Sequence, residues 1–158
     1  MRVVLVEPQI PPNTGNIARL CAAFEVELNL VGPLGFSLED RYLKRAGLDY
    51  WPHVRLALWP DFTAFRRRKS APAQERLIMT SAKRPGCAPL QKFSFLPEDA
   101  LIFGAETHGL ADEIFSLSAH SVRIPIKTMD EGGARSLNLS TACGIVLFQA
   151  LVSSGLLA

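Results

Sequence analysis

Only three cysteines, Cys21, Cys87 and Cys143, occur in 158 residues, and none stands in a CxxC pair. An odd, widely spaced set offers neither a disulfide framework nor a structural zinc site, so the thiols read as packing groups. His53, His108 and His120 lack metal-ligand spacing, and no serine or cysteine sits in a Gly-x-Ser-x-Gly elbow. Metal-dependent and triad-type hydrolytic chemistry are disfavoured accordingly, and no metal is expected. No apolar run approaches the roughly 20 residues that a membrane-spanning helix needs, even in the richest stretch, 143–152. The N-terminus opens on a strand pattern at 3–6, without the basic flank, long apolar core and cleavage site of a signal peptide. A cytoplasmic location is expected. Charge of one sign is scarce too: the formal net charge is +2, so any attraction to RNA has to come from local clusters rather than from the total. Those clusters are Arg41, Lys44 and Arg45, then residues 66–69, then Lys83 and Arg84. Each alone reads first as a solvated face.

Hydrophobic residues make up 48% of the chain, enough for one core, and the length fits a single domain over 1–158. Short apolar runs at 3–6, 28–31, 54–58, 77–79, 101–103 and 122–126 alternate with helical stretches. That rhythm predicts an α/β fold with a mainly parallel sheet and helices on both faces. A helix is expected over 14–24, with Ile17, Leu20, Cys21 and Phe24 on its apolar face and Asn13 or Thr14 as cap. Shorter helices are expected over 60–69, beginning beside Asp61, and over 110–117. The stretch 139–151 is helical and apolar around most of its circumference, so it must be buried in the domain, against a second copy, or both. Trp51 and Trp59 read as packing residues.

Three segments could carry chemistry. The first, residues 7–19, is a loop of prolines and amides between a strand and a helix, where open α/β sheets bind ligands. It serves equally as a turn and cap. Asn13, Asn16 and Arg19 recur at intervals of three, which places them along one helical face, and Arg19 could grip a phosphate. The second segment, residues 101–110, runs from a buried strand into Gly-x-Glu-x-x-Gly-Leu. Gly104 and Gly109 there could admit a ligand close to the backbone. It is not the GxGxxG of dinucleotide sites. The third segment is Ile124-Pro125-Ile126, a loop over 127–135, and Ser136-Leu137-Asn138-Leu139-Ser140 opening the apolar helix. Ser136 and Asn138 are both credible caps, and the helix start could instead hold an anionic group.

Together, Pro-x-Ile-Pro-x-Asn-Thr-Gly-Asn-Ile-x-Arg, Phe-Gly-x-Glu-Thr-x-Gly-Leu and Ile-Pro…Ser-Leu-Asn-Leu-Ser resemble the three motifs of SPOUT-class RNA 2'-O-methyltransferases. The likeness is greatest to the small tRNA (cytidine/uridine) 2'-O-methyltransferases of the wobble position and spans nearly the whole chain; the stretch from Arg45 to Tyr50 adds to it. The loop 127–135 looks a few residues longer than usual, and Thr141 stands where such proteins often have Asn. The resemblance implies a deep trefoil knot near the C-terminus, an exception to the rule against threaded chains. It also implies S-adenosyl-L-methionine as cofactor, held by Thr80, Gly104, Glu106, Gly109, Ile124, Ser136 and Leu137. The catalytic residues would be Arg19, Asn16 and Asn138. The implied partners are tRNA, at its anticodon region, and a second copy of the chain, with the first and last helices forming a homodimer and each Arg19 facing the other protomer's cofactor.

A guanidinium stays protonated in nearly all protein settings, so Arg19 is a poor general base. Its expected role is to bind the adjacent phosphate and stabilise developing alkoxide charge, with Asn16 and Asn138 aiding orientation. Ribose methylation of another RNA such as rRNA, or a non-catalytic RNA-binding knotted dimer, are the alternatives.

Overall fold

A computed structural model describes residues 1–39, 50–127 and 136–157. The basic cluster at 41–45, the Arg45-to-Asp49 signature and most of the 127–135 loop lie outside the described residues. Seven strands form one sheet: β1 (Arg2–Val6), β2 (Glu27–Val31), β3 (Leu56–Trp59), β4 (Leu77–Thr80), β5 (Ala88–Pro89), β6 (Ala100–Phe103) and β7 (Ser121–Arg123). Their spatial order is β3-β2-β1-β6-β4-β7-β5, and every pairing is parallel. Parallel strands need crossovers that cover both faces of the sheet, which is why the adjacent inner strands β1, from Val3 on, and β6 are continuous apolar runs rather than alternating.

The period-2 pleat sorts the strand residues to two cores. Val3, Leu5, Leu28, Leu30, Leu101 and Phe103 pack on one face beneath α1 (Pro11–Ala23) and α4 (Leu139–Ser153). Val4, Val6, Val31, Met79 and Ile102 pack on the other against α2 (Phe62–Arg66) and α3 (Asp112–Phe115). The expected architecture of helices on both faces of a parallel sheet is therefore the observed one. Among the described residues, no helix is long and apolar enough to cross a membrane.

Several local expectations shift. Helix α1 begins at Pro11, with Ile10 as a cap that makes no side-chain bond. Asn13 and Thr14 are thus not caps but buried members of the first turns. Two prolines at its start cost nothing, because first-turn N–H groups lack helical acceptors and the ring presets φ. Asp61 does cap α2, accepting from Ala64 N at 2.8 Å, but that helix is half the expected length. Arg68, in the run read as solvated, is buried over the Phe65 ring at 3.8 Å and donates to Phe65 O at 2.8 Å. The edge strand β5, two residues ending in Pro89, had no sequence signal.

All three thiols are free and buried. Burial pushes the Cys21 thiol up to about 12 and Cys143 well above its usual range, so both act as neutral packing groups between α1 and α4. At the N-terminal edge of the sheet, Arg76 grips the fully buried Asp99 through two bonds, Nε to Oδ1 at 2.8 Å and an η-nitrogen to Oδ2 at 2.7 Å. Asp99 also accepts from Leu96 N at 2.8 Å. This clamp joins the starts of β4 and β6, and its hydrogen bond raises the Arg76 pKa.

Candidate active site

Because the sheet is parallel, the loops leaving β1, β4, β6 and β7 all emerge on one edge. That edge also contains the switch in strand order, since the chain steps from β1 out to β3 and then returns beyond β6. Ligand clefts form at such switch points. Here the loops enclose a cleft of about 490 Å³, within the range of small-molecule sites. Thr80, Gly104, Glu106, Gly109, Ile124, Ser136, Leu137 and Asn138 all line it. Every residue expected to hold the cofactor thus meets in one place, although the residues come from segments far apart in the chain.

The backbone explains how loop one reaches the cleft. Glu7, at the end of β1, has φ of 52°, a left-handed conformation uncommon for a side chain larger than Gly, Asn or Asp. Its N–H still donates to Val31 O at 2.7 Å, so the turn is held against β2 as it carries Pro8 to Ile10 over the sheet edge.

A chain of hydrogen bonds then joins the three segments. Glu106 accepts from Gln9 N at 2.8 Å, from Ile10 N at 3.1 Å and from Asn13 Nδ2 at 3.2 Å. Asn13 Oδ1 in turn accepts from Asn138 Nδ2 at 2.9 Å. Asn138 Oδ1 accepts from Ser140 N at 2.8 Å and caps α4. The direction of this chain is forced from both ends. A carboxylate can only accept and a backbone N–H can only donate, so both amides must point the same way. Of the two cap candidates, Asn138 fills the position and Ser136 lies two residues outside it, exposed at the cleft. Asn13, read as a helix cap or as part of a helical face, is the hub of the network and is 5% exposed. Nothing local in the sequence marks that role, because its partners are 93 and 125 residues away.

The two glycines of segment two also shape the loop itself. A Cβ on Gly104 would stand 2.1 Å from Gly109 C and 2.2 Å from Leu110 N. Gly104 therefore admits the loop's own returning backbone as well as lining the cleft. Gly109 turns that backbone with φ of 72° and closes it through its N–H to Ala105 O at 2.8 Å. Thr80 is fixed by donating to Ile102 O at 2.8 Å. Arg84, read with Lys83 as a basic cluster, is also structural: it donates to Leu110 O at 2.7 Å, pairs with Asp112 at 2.6 Å and lies over Phe115 at 4.4 Å. Lys83 and Arg123 remain exposed at the cleft. Among the described residues, no group of three or more His, Cys, Asp or Glu side chains is placed to hold a metal ion.

Asn16 and Arg19 do not line the cleft. Both are exposed on α1, whereas Asn13 faces inward, so the three do not share one face. Two intervals of three residues rotate a helix by about 120° from Asn13 to Arg19, which separates buried hub from exposed arginine. Arg19 instead lies against Tyr50, with an η-nitrogen donating to the hydroxyl at 3.0 Å and its guanidinium carbon 4.5 Å from the ring centre.

The donor set fits an adenosyl amino-acid ligand. Ile124, Leu137, Leu139 and Val146 supply an apolar wall for a flat ring, and Thr80, Asn138 and loop backbone supply polar groups. Residues 1–148 match the SpoU rRNA methylase family. A tRNA (cytidine(34)-2'-O)-methyltransferase from Polaromonas sp. is 40% identical over 156 residues, covering 97% of this chain and 90% of its own. A solved structure described as giving insight into 2-OH methylation of C/U34 on tRNA superposes with a TM-score of 0.85 at 41% identity, covering 96% of this chain and 94% of that one. An AdoMet-bound rRNA methyltransferase from Sinorhizobium meliloti superposes at 0.83 with 26% identity, covering 99% of this chain and 57% of that one. A sheet-edge cleft built from all three motifs, together with these matches along nearly the whole length, places the chain in the SpoU rRNA methylase family.

Proposed function

We propose that this chain methylates the ribose 2'-hydroxyl of the wobble cytidine or uridine of tRNA, using S-adenosyl-L-methionine, as a homodimer in the cytoplasm. The observation that carries the reading is the convergence of segments 7–19, 101–110 and 124–140 on one cleft, tied by the Glu106–Asn13–Asn138 chain, in a chain of this methylase family. Residues 1–158 are read as one domain, with the trefoil knot near the C-terminus that the likeness to SPOUT proteins implies.

When bound in the cleft, the cofactor's sulfonium supplies an electrophilic methyl group. Ile124, Leu137 and Leu139 exclude water around it, and Thr80, Glu106, Gly109 and Ser136 shape or line the pocket. Asn138 reaches the cleft from the start of α4 and orients the reactants; Asn16, on α1 outside its own chain's cleft, aids that orientation from the second copy. Arg19 binds the phosphate next to the target ribose and stabilises charge on the 2'-oxygen as its proton leaves to phosphate or water. Alignment of two bound reactants accounts for several kcal/mol of barrier lowering.

Arg19 and Asn16 stand outside their own chain's cleft, which supports a site completed by a second copy. Ile145, Phe148 and Val152 form a stripe along α4, each between 41% and 53% exposed, at the i, i+3, i+7 spacing of a helix packed on a partner.

Tritium transfer from labelled S-adenosylmethionine to total tRNA from a strain lacking wobble methylation tests the reading, with nuclease mapping of the product. Label in a wobble 2'-O-methyl nucleotide is expected. Measured cofactor binding with no label in tRNA would overturn the substrate assignment, and label in rRNA would replace it.

A further inference from the structure

We infer that Tyr50 is a positioning residue for the reaction, holding Arg19 in the geometry in which it meets RNA; this rests on the catalytic reading of Arg19 above. Tyr50 belongs to none of the three motifs. It precedes the single turn Trp51–His53 that leads into β3, and its carbonyl accepts from His53 N at 2.9 Å. Trp51 packs on the core beneath α1 and α4. The phenol is therefore anchored from behind while Tyr50 as a residue remains 36% exposed.

Its two contacts with Arg19 restrain different freedoms. The ring beneath the guanidinium, 4.5 Å to its centre, fixes the plane. The hydroxyl, 3.0 Å from an η-nitrogen, fixes rotation within that plane. A free surface arginine samples many rotamers, and ordering it on binding costs affinity or rate. Tyr50 removes that cost beforehand. The choice of a phenol also matters electrically. A carboxylate would hold the arginine equally well but would neutralise it, whereas a neutral ring and hydroxyl leave the positive charge free for phosphate. Among the described residues, the Tyr50 hydroxyl is the hydrogen-bond partner of the guanidinium, whose planar fork suits bidentate contact with phosphate oxygens.

The test is a comparison of Tyr50→Phe, Tyr50→Ala and Arg19→Ala by single-turnover methylation of tRNA, alongside cofactor affinity and thermal midpoint. Tyr50→Phe keeps the ring and loses the hydroxyl contact; a fall in rate of about 3- to 10-fold is expected, as for one ordinary hydrogen bond at an exposed site. Tyr50→Ala loses both contacts and should fall about 10- to 100-fold. Cofactor affinity should stay within error for both, because neither contact touches the cleft, and the thermal midpoint should show each variant folded at the assay temperature. Adding Tyr50→Ala to Arg19→Ala should cost nothing further, since the arginine through which it acts is gone.

Arg19→Ala with near-normal rate would sink the catalytic reading of Arg19 itself. Loss of rate in Arg19→Ala but not in Tyr50→Ala would overturn the positioning role alone. An equal loss from Tyr50→Ala in both backgrounds would overturn it too, showing that Tyr50 acts without Arg19.

Discussion

Replacing Asn13 by Asp changes one group in the network and leaves its shape intact. The Oδ1 that accepts from Asn138 is kept, while the Nδ2 that donates to Glu106 across 3.2 Å becomes a second oxygen. At an effective dielectric constant near 20, two unit charges at that distance repel by about 5 kcal/mol. Partial exposure of Glu106 screens this to about 2–4 kcal/mol. The pair can escape by taking up one proton, which costs about 1.4 kcal/mol for each pH unit above the ordinary carboxylate range. The folded variant therefore binds more protons than its unfolded chain, and its stability falls as pH rises. Relative to the parent, Asn13→Asp should lose about 5–15 °C in thermal midpoint near pH 8, taking about 2–4 °C per kcal/mol for a chain of this length. Near pH 5, where taking up that proton costs about 1 kcal/mol, roughly half of that loss should vanish. Asn13→Ala, which adds no charge, should lose less near pH 8 and equally at both values. Scanning calorimetry at the two pH values reads all three proteins. A deficit for Asn13→Asp that does not change with pH would refute the argument that Asn13 donates to an ionised Glu106.

Other substitutions probe separate parts of the account. Gly104→Ala forces a methyl group into the backbone of Gly109 and Leu110; it should cost about 1–3 kcal/mol in urea denaturation and weaken cofactor binding at least about tenfold, measured by calorimetric titration, because the loop lining the cleft must shift. Asp99→Ala strips three hydrogen bonds from the clamp at the far edge of the sheet and should destabilise by about 2–4 kcal/mol. Its cofactor affinity, measured where the protein is folded, should be unchanged. Phe148→Glu places a charge in the exposed stripe of α4 and should shift sedimentation to a monomer and abolish methyl transfer, while the monomer keeps its cofactor.

Much of this was legible along the chain. Apolar runs separated by helical stretches specify a parallel sheet, and the pleat alone assigns Val3 and Leu5 to one core and Val4 and Val6 to the other. The residues lining the cleft were legible because the three motifs sit where strands end. What could not be read was whatever depends on how residues, near or far in sequence, meet in space. The acidic end of the Asn13 chain belongs to Glu106, and the returning backbone that makes glycine necessary at position 104 comes from its own loop. Arg68 looks like a solvated cation until Phe65 is placed beneath it. Asn13 and Thr14 are good cap residues, but two prolines before them start the helix earlier. A two-residue edge strand containing proline carries too little pattern to detect.

The central claim is that chemistry occurs where one protomer's cleft meets the other's Arg19, and mixing two inactive variants tests it most directly. Arg19→Ala retains an intact cleft, and Ile124→Asp, chosen to abolish cofactor binding, retains Arg19. Hybrids formed by co-refolding contain one site with both intact halves only if Arg19 acts across the interface. The account predicts methylation restored to roughly a quarter of the parent rate, from one working site in about half of the dimers. Hybrid dimers that form and remain as inactive as their parents would contradict it.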